Sequence, residues 1–578
     1  MESAADITAD RSLLQSYDDV LARNPFSQQQ VTISKAEHRD LIHRAHYWEA
    51  LHAQVKQKCA RLEEENQRKD ARIRDLNNRV FGKTSEKQST ATSEKSESST
   101  ANRPRGQQRG SRGHGRTARP NLPVLNEKVD LPDDKKCCPE CGLSRLPRPA
   151  LDETSDIIEV EVRAYIRRIH RPAYARNPGC HCSDVPAIIT ASPPPRLIPR
   201  SPYGIGFWVE VLLSKFQYSQ PTHRHLQDLN DRSLPVSPGT VAGGLQTIAP
   251  LFKPILEGLY QKQMTEALFH NDETRWEVFV EMEGKVGHRW YLWVTRSQSA
   301  IYFVLDASRS ADVPGAHFAG LQAERVIIVC DRYSAYKKLA RLTDAILLAF
   351  CWAHVRRDYL DAGRSYNALE PWALDWKARI GELYHRNHLR LEHWDSERPL
   401  DQQSESFDQH HQAVQETLQG MLEEATRLSE DAQERLDETT LALSRSARKQ
   451  QRKVCKSLLT HWSGLTLFME NPEVPLDNNL AENTIRGPVT GRKNYYGSGS
   501  LWSALLAASA FSIFKTLGLW RINTHHWLSA YLTACAENGG EPPADITPWL
   551  PWSMDQARRD ELARPPPTRL SPATPDTS

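Results

Sequence analysis

Two short apolar runs constrain the fold of this chain more than any other feature. ERVIIVCD, Glu324 to Asp331, and AILLAFCWAH, Ala345 to His354, have the length of strands buried on both faces, and each ends abruptly in polar residues. SAYKKLARL, between them, has helical spacing. Upstream, ALFHNDETRWEVFVEMEGKVGHRWYLWVTRSQSAIYFVLDASRS holds three stretches rich in β-branched and aromatic residues, at about 266–280, 287–296 and 300–306. The expected order is three meandering strands and then strand–helix–strand.

That order is the one found in RNase H-like α/β domains, and it gives the polar residues positions. Asp272 follows the apolar Ala267, Leu268 and Phe269 in the first strand, and Asp331 closes the fourth. If those strands are neighbours, both carboxylates emerge at one spot on the sheet. Like charges so close are costly without a cation between them. Oxygen ligands of this kind suit hard divalent ions, and two such ions can hold the attacking and leaving oxygens of a phosphodiester. A third carboxylate is available in PLDNNLAENTIRGPVTGRKNYYGSGS, Pro475 to Ser500. Asn479 and Glu482 have capping-box spacing, and Gly487-Pro488 predicts a stop to a short helix. On that helix Ala481 and Ile485 share an apolar side while Glu482 points towards the ions and Arg486 towards a phosphate. Arg492 and Lys493 are expected in the following loop, with Tyr495 and Tyr496 available to stack on bases.

The rest of the chain reads as appended modules. A net charge of +2 over 578 residues restricts any nucleic-acid surface to a local patch. The beginning, MESAADITADRSLLQSYDDV, lacks the basic and apolar parts of a signal peptide, so a cytoplasmic location without membrane contact is expected. Residues 1–87 contain a heptad series, Trp48, Val55, Leu62, Lys69 and Leu76, with the companions His52, Cys59, Asn66, Ile73 and Val80. This suits a short coiled coil for self-association, or an amphipathic helix lying on its own protein. Residues 88–124 are a low-complexity linker in which Arg103, Arg105, Arg109, Arg112, Arg116 and Arg119 offer charge to a phosphate backbone. In 125–190, Cys138 and Cys141 form one pair and Cys180 and Cys182 a second after 38 intervening residues. Two such pairs make a tetrahedral zinc module, with Cys137 or His181 as substitute ligands; DIIEVEVRAYIRRIHRPAY would be the hairpin carrying them. Buried or spare thiols are the alternative. Residues 191–262 read as helices, either a packed layer or a nucleic-acid surface using Lys215, Tyr218, His223 and Arg224.

HNDET around Asp272, CDRYSAYKKL around Asp331, CWAHVRRDY after the fifth strand and DNNLAENTIRGPVTGRKN around Glu482 together resemble the DDE transposases of the insertion sequence 66 family. The leader ending FGKTSEK, the RGQQRGSRGHGR segment, the cysteine knuckle, the SKFQYSQPTHRHLQDL helices and the tail running to ITPWLPW occur in that family's order, so the resemblance covers most of residues 40–552. It implies Asp272, Asp331 and Glu482 as the catalytic triad holding two Mg²⁺ or Mn²⁺ ions, in a domain of residues 263–517. The 150 residues between Asp331 and Glu482 would contain a helical insertion at about 358–470, and 518–578 would be a helical segment and tail. Cys351 and His354 match a C-x-x-H motif of related groups; either they are core and strand-end residues, or His354 with Arg356 and Arg357 supports DNA or the metal site. The CHC of Cys180 to Cys182 is tighter than the family's usual spacing, which leaves the zinc ligand set open. The implied activity is cleavage at transposon ends followed by strand transfer into target DNA, by a homodimer or larger assembly, with accessory proteins of the same element possible partners. An RNase H-fold nuclease that does not join, or a non-catalytic DNA-binding regulator, are the alternatives.

Overall fold

The computed structural model describes residues 32–81, 140, 164–175, 188–283, 287–430 and 443–564. The chain divides into two compact units, residues 1–83 with 170–578, and residues 84–169. Of the second unit only Glu140 and residues 164–169 are described, and every described helix and strand belongs to the first.

A two-stranded antiparallel ladder, β1 (Ala173–Ala175) with β2 (Ile188–Thr190), precedes the main sheet. That sheet contains β3 (Leu268–Val278), β4 (Arg289–Arg296), β5 (Ile301–Asp306), β6 (Val326–Cys330) and β7 (Ile346–Phe350), in the order β5-β4-β3-β6-β7, with β8 (Gly497–Ser498) beside β3. β3, β4 and β5 form an antiparallel meander, whereas β6 runs parallel to β3, and β7 parallel to β6. The first and fourth of these five strands are therefore neighbours. All five residues of β6 are buried, as a parallel strand covered on both faces requires.

Alternation along the strands divides the core in two. Trp290, Leu292 and Val294 join Ile301, Phe303 and Leu305 against helices drawn from 205–264 and 501–536. Phe269, Trp293, β6 and β7 pack instead with α2 (Trp352–Ser365), α3 (Glu370–Glu392), α4 (Glu405–Glu430) and α5 (Arg445–Thr460). The stretch expected to be helical from about 358 to 470 is mainly helical among its described residues, with turns and links at 393–399, 403–404 and 443–444. α6 (Asn479–Tyr495) then returns to β3 and β4, and α7 (Leu501–Leu519) covers β5. α7 is long and apolar enough to cross a membrane, but it is a core helix here. Ser512 and Thr516 accept the backbone N–H groups of Phe303 and Ile301, at 2.8 and 2.9 Å, so the outer edge of β5 is capped by side chains.

α1 (Lys35–Phe81) is a 47-residue helix that rests along α2 and α5, with Ser446 Oγ donating to Gln67 Oε1 at 2.9 Å. The stripe of Trp48, Val55 and Leu62 is 62, 51 and 50% exposed, and the side chains of Ile73, Leu76 and Val80 lie outside the described set. The cysteines at 137, 138, 141, 180 and 182, with His181, lie outside the described residues, as does the 88–124 linker. Of the expected hairpin, residues 156–163 lie outside the described set; 164–172 are not in a strand, Tyr165, Ile166 and Ile169 are exposed, and pairing among the described residues begins at Ala173, beyond Pro172.

Candidate active site

The register of the sheet brings the two aspartates together. β3 pairs with β6 at Leu268 with Ile327, Phe269 with Ile328 and His270 with Val329. Continued by two residues, that register sets Asp272 level with Asp331, the residue that leaves β6. Asp331 Oδ1 accepts the N–H of Tyr333 at 2.9 Å, which turns the chain into the helix Ser334–Leu342. Asp272 is pushed up to about 8, first by burial and then by the negative charge of Glu273, Asp331 and Glu482, with the Glu273 N–H opposing at 2.9 Å. Carboxylates from three separate elements thus act on one another.

Glu482 reaches this cluster because α6 is seated on the sheet from several directions. Ala481 and Ile485 are buried, as their spacing predicts. Arg296 of β4 donates to Leu480 O at 3.3 Å and Thr484 Oγ1 at 3.2 Å. Arg492 donates to Thr274 Oγ1 at 3.0 Å and to Arg275 O on β3, and Asn494 Nδ2 to Ser219 O at 2.8 Å. Asn478, only 1% exposed, is the N-cap: its Nδ2 donates to Asn271 O at 2.7 Å, its Oδ1 accepts from His270 Nδ1 at 3.2 Å, and its N–H meets Cys351 Sγ at 3.3 Å. Burial holds His270 near 4, so the ring is neutral at physiological pH.

Several local expectations are corrected by this geometry. No capping box forms, because Asn479 is already helical and its N–H is taken by Asp477 Oδ1 at 3.1 Å. The helix does not stop at Gly487-Pro488 but continues to Tyr495. Gly487 has no Cβ to collide with the proline ring, and the tertiary ties at both ends outweigh one missing hydrogen bond. Arg492 and Lys493 are consequently helical rather than in a loop. Tyr495 is packed edge-on to Trp276, with Lys215 Nζ 4.6 Å from its ring centroid, whereas Tyr496 is 72% exposed. Lys215 itself is turned inward, donating to Thr222 Oγ1 at 3.2 Å, while Tyr218, His223 and Arg224 face solvent.

His354 lies in the first turn of α2, its Nε2 3.9 Å from Glu482 Oε1, and Arg357 is near enough to lower its proton affinity after the larger effect of burial. Arg356 is half-buried; Arg357, Arg486 and Lys493 are exposed. Glu482 Oε1 and His354 Nδ1 are buried without a hydrogen-bond partner. Three oxygen-bearing groups, one with an unmatched lone pair and one whose proton affinity is raised first by burial and then by neighbouring charge, are a donor set that fits hard divalent cations.

Two participants were missed by sequence reasoning. Glu273 faces the other side of β3, its side chain 3% exposed, where Arg309 Nη2 donates to Oε1 at 2.6 Å and Tyr336 Oη to Oε2 at 2.8 Å. Burial raises its proton affinity and Arg309 works against that rise. The other is Asn478, whose signal was the polar DNN run before Glu482.

A family model described as "Transposase IS66 family" matches residues 200–505. Among curated relatives, "Uncharacterized protein y4hP" of Sinorhizobium fredii is 25% identical over 440 residues, covering 73% of this chain and 74% of that one. "Uncharacterized protein y4jD" of the same organism is 23% identical over 436 residues, covering 73% and 78%.

Proposed function

This chain belongs to the IS66 transposase family, and from that premise we propose that Asp272, Asp331 and Glu482 are the catalytic triad of a DDE transposase that cuts DNA at transposon ends and joins them to target DNA. Membership supports a transposase role and DNA as the partner. The finer reading rests on one observation: three carboxylates more than 50 residues apart in sequence converge, so that Asp331 and Glu482 add their charge to the burial and the Glu273 charge that push Asp272 up to about 8. The strand order β5-β4-β3-β6-β7, with its antiparallel meander and parallel half, supports an RNase H-like catalytic domain carrying α2 to α5 as its helical insertion.

The three carboxylates would hold a pair of Mg²⁺ or Mn²⁺ ions, which when bound supply Lewis-acid activation of the nucleophile and charge neutralisation at the leaving oxygen. The reaction is in-line displacement at phosphorus. A water oxygen attacks the phosphodiester at the transposon end, the bond to the 3′-oxygen breaks, and that oxygen leaves as a 3′-hydroxyl. The same hydroxyl then attacks a target phosphodiester, so one bond forms as another breaks and no covalent protein intermediate arises. The chain's own residues position and neutralise. Arg486, Lys493 and Arg357 are exposed around the cluster and take phosphates, with Arg356 behind them. Arg492 acts from its bonds to β3 by holding the helix of Glu482, and His354 flanks the third carboxylate.

The remaining modules serve the ends. The cysteines 138, 141, 180 and 182 would hold structural Zn²⁺, the basic 88–124 segment would contact phosphates, and α1 would pair two subunits. Cytoplasmic action and help from companion proteins of the same element complete the proposal.

Purified protein with its element's terminal DNA and Mg²⁺ or Mn²⁺ should yield joined products that vanish in Glu482→Gln and Asp272→Asn. Cleavage without joining favours the nuclease. Glu482→Gln as active as the parent would sink the triad, and end binding without any chemistry in the parent would make the chain a DNA-binding regulator.

A further inference from the structure

Beside the carboxylates lies a donor set of different character. A sulfur of Cys351, a ring nitrogen of His354 and a carboxylate oxygen of Glu482 are all within 4.8 Å of one another. Cys351 is the N-cap of α2 and His354 sits one turn on, so a single helix start presents both, and α6 brings Glu482 to meet them. The sulfur is buried and receives the N–H of Asn478 at 3.3 Å, with the N–H groups of Ala353 and His354 also directed at it. These amides offset part of the cost of a buried sulfur anion. The unpartnered Glu482 Oε1 and His354 Nδ1 belong to the same cluster.

One thiolate, one imidazole and one carboxylate make a softer set than magnesium prefers, and three protein donors of these kinds match the composition of zinc sites that complete their coordination with an exchangeable ligand. Zinc bonds of about 2.0–2.3 Å require donors about 3.3–3.8 Å apart, which small side-chain rotations from the present spacing supply. We propose that Cys351, His354 and Glu482 form a site for a borderline-soft divalent cation, zinc foremost, and that its occupancy withdraws Glu482 from the hard-cation centre. On binding, the Cys351 S–H bond breaks, its proton passes to solvent and the sulfur pair goes to the metal. Zinc and magnesium then compete for one carboxylate, and zinc availability becomes a reversible brake. The withdrawal of Glu482 rests on the triad reading; the binding itself does not.

Equilibrium dialysis of the full chain with Zn²⁺ tests this, comparing the parent with Cys351→Ser, His354→Ala and Glu482→Gln. The cysteines at 138, 141, 180 and 182 are present in every sample, so each comparison is a difference against the same background. Each variant should bind one equivalent less, and the Co²⁺-loaded parent minus Cys351→Ser should leave a thiolate-to-cobalt absorption band. Saturating Mg²⁺ should weaken zinc at this site at least tenfold in the parent. Equal zinc stoichiometry in all four proteins overturns the site. If Cys351→Ser does not fold, His354→Ala, at a side chain 26% exposed, decides alone. Zinc retained unchanged under saturating Mg²⁺ overturns the competition. A lost equivalent in the variants with no joining by the parent leaves the metal site standing and removes the transposase reading.

Discussion

At the scale of single residues, burial and neighbouring charge make ionisation of Asp272 costly, and under the proposed function a bound cation would relieve that cost. The Asp272 carboxyl is held near 8 in the fold but ionises near 4 in an unfolded chain. Between those values the folded state carries the extra proton, so metal-free stability falls as pH rises from about 4 to about 8 and levels off above. Each pH unit of displacement corresponds to about 1.4 kcal/mol. Thermal unfolding at pH 6 and pH 8.5, with and without Mg²⁺, should give the larger magnesium-induced rise at the higher pH. Asp272→Asn should flatten the metal-free pH slope and abolish most of the magnesium effect; a magnesium effect independent of pH in the parent would contradict the coupling. Asn478 supports the same centre from behind. Asn478→Ala leaves Asn271 O and the His270 ring without partners in a buried setting, a loss of roughly 2–3 kcal/mol. Because it also loosens the start of α6, the variant should lose turnover more than DNA affinity, which binding and single-turnover joining assays separate.

At the scale of elements, sequence and structure agree on the sheet and part company at α6. The five sheet strands were legible because burial writes itself into alternation and short apolar runs: the fourth and fifth expected strands enclose β6 and β7. Asp331 was legible for the same reason, since it closes the buried run of β6, and Asp272 because the apolar Ala267, Leu268 and Phe269 before it mark β3, inside which it lies. α6 was not. Gly487-Pro488 is a stop by local chemistry, and what overrides it is tertiary: Arg296, Arg492 and Asn494 tie the helix to residues distant in sequence. Glu273 was invisible because a lone acid beside another reads as surface, and only Arg309 and Tyr336, from elements far along the chain, show that it is enclosed. Lys215 and Tyr495 are partly buried against each other, as the packed-layer alternative for Lys215 allows and base stacking by Tyr495 does not. If tertiary ties hold α6 in place, Arg492→Met, which keeps length but removes the donors to Thr274 and β3, should reduce joining by at least tenfold while Arg486→Met chiefly weakens DNA binding. The return to the sheet is equally constrained: Gly497 has φ +156, and a Cβ there would meet Glu277 O at 2.0 Å. Gly497→Ala should therefore cost about 2–4 kcal/mol, read from chemical denaturation, by dislodging β8 from β3.

For the whole molecule the open question is what α1 does with its exposed stripe. A 47-residue helix is about 70 Å long, and α2 and α5 cover only part of it. Trp48, Val55 and Leu62 recur every seventh residue and lie more than half exposed or at the half mark, the arrangement of a seam without its partner. Burying such a side chain contributes about 1.5 kcal/mol or more, so the six from two copies supply on the order of 9 kcal/mol. Association costs about 4–15 kcal/mol. At the low end of that cost about 5 kcal/mol remains, so the stripe alone gives a weak pair, forming at roughly 0.2 mM at best. Two subunits held on one DNA molecule would experience an effective concentration in the ~mM range, enough to close such a seam. Simultaneous Trp48→Ser, Val55→Ser and Leu62→Ser should leave the unfolding temperature nearly unchanged, because these side chains contribute little to the folded subunit. Sedimentation equilibrium should show the parent passing from monomer towards dimer at roughly 0.2 mM and above, and the triple variant staying monomeric. With terminal DNA, the variant should still cut single ends but lose products in which two ends are joined together. A triple variant that dimerises like the parent would place the contact elsewhere and return α1 to the role of a helix lying on its own subunit.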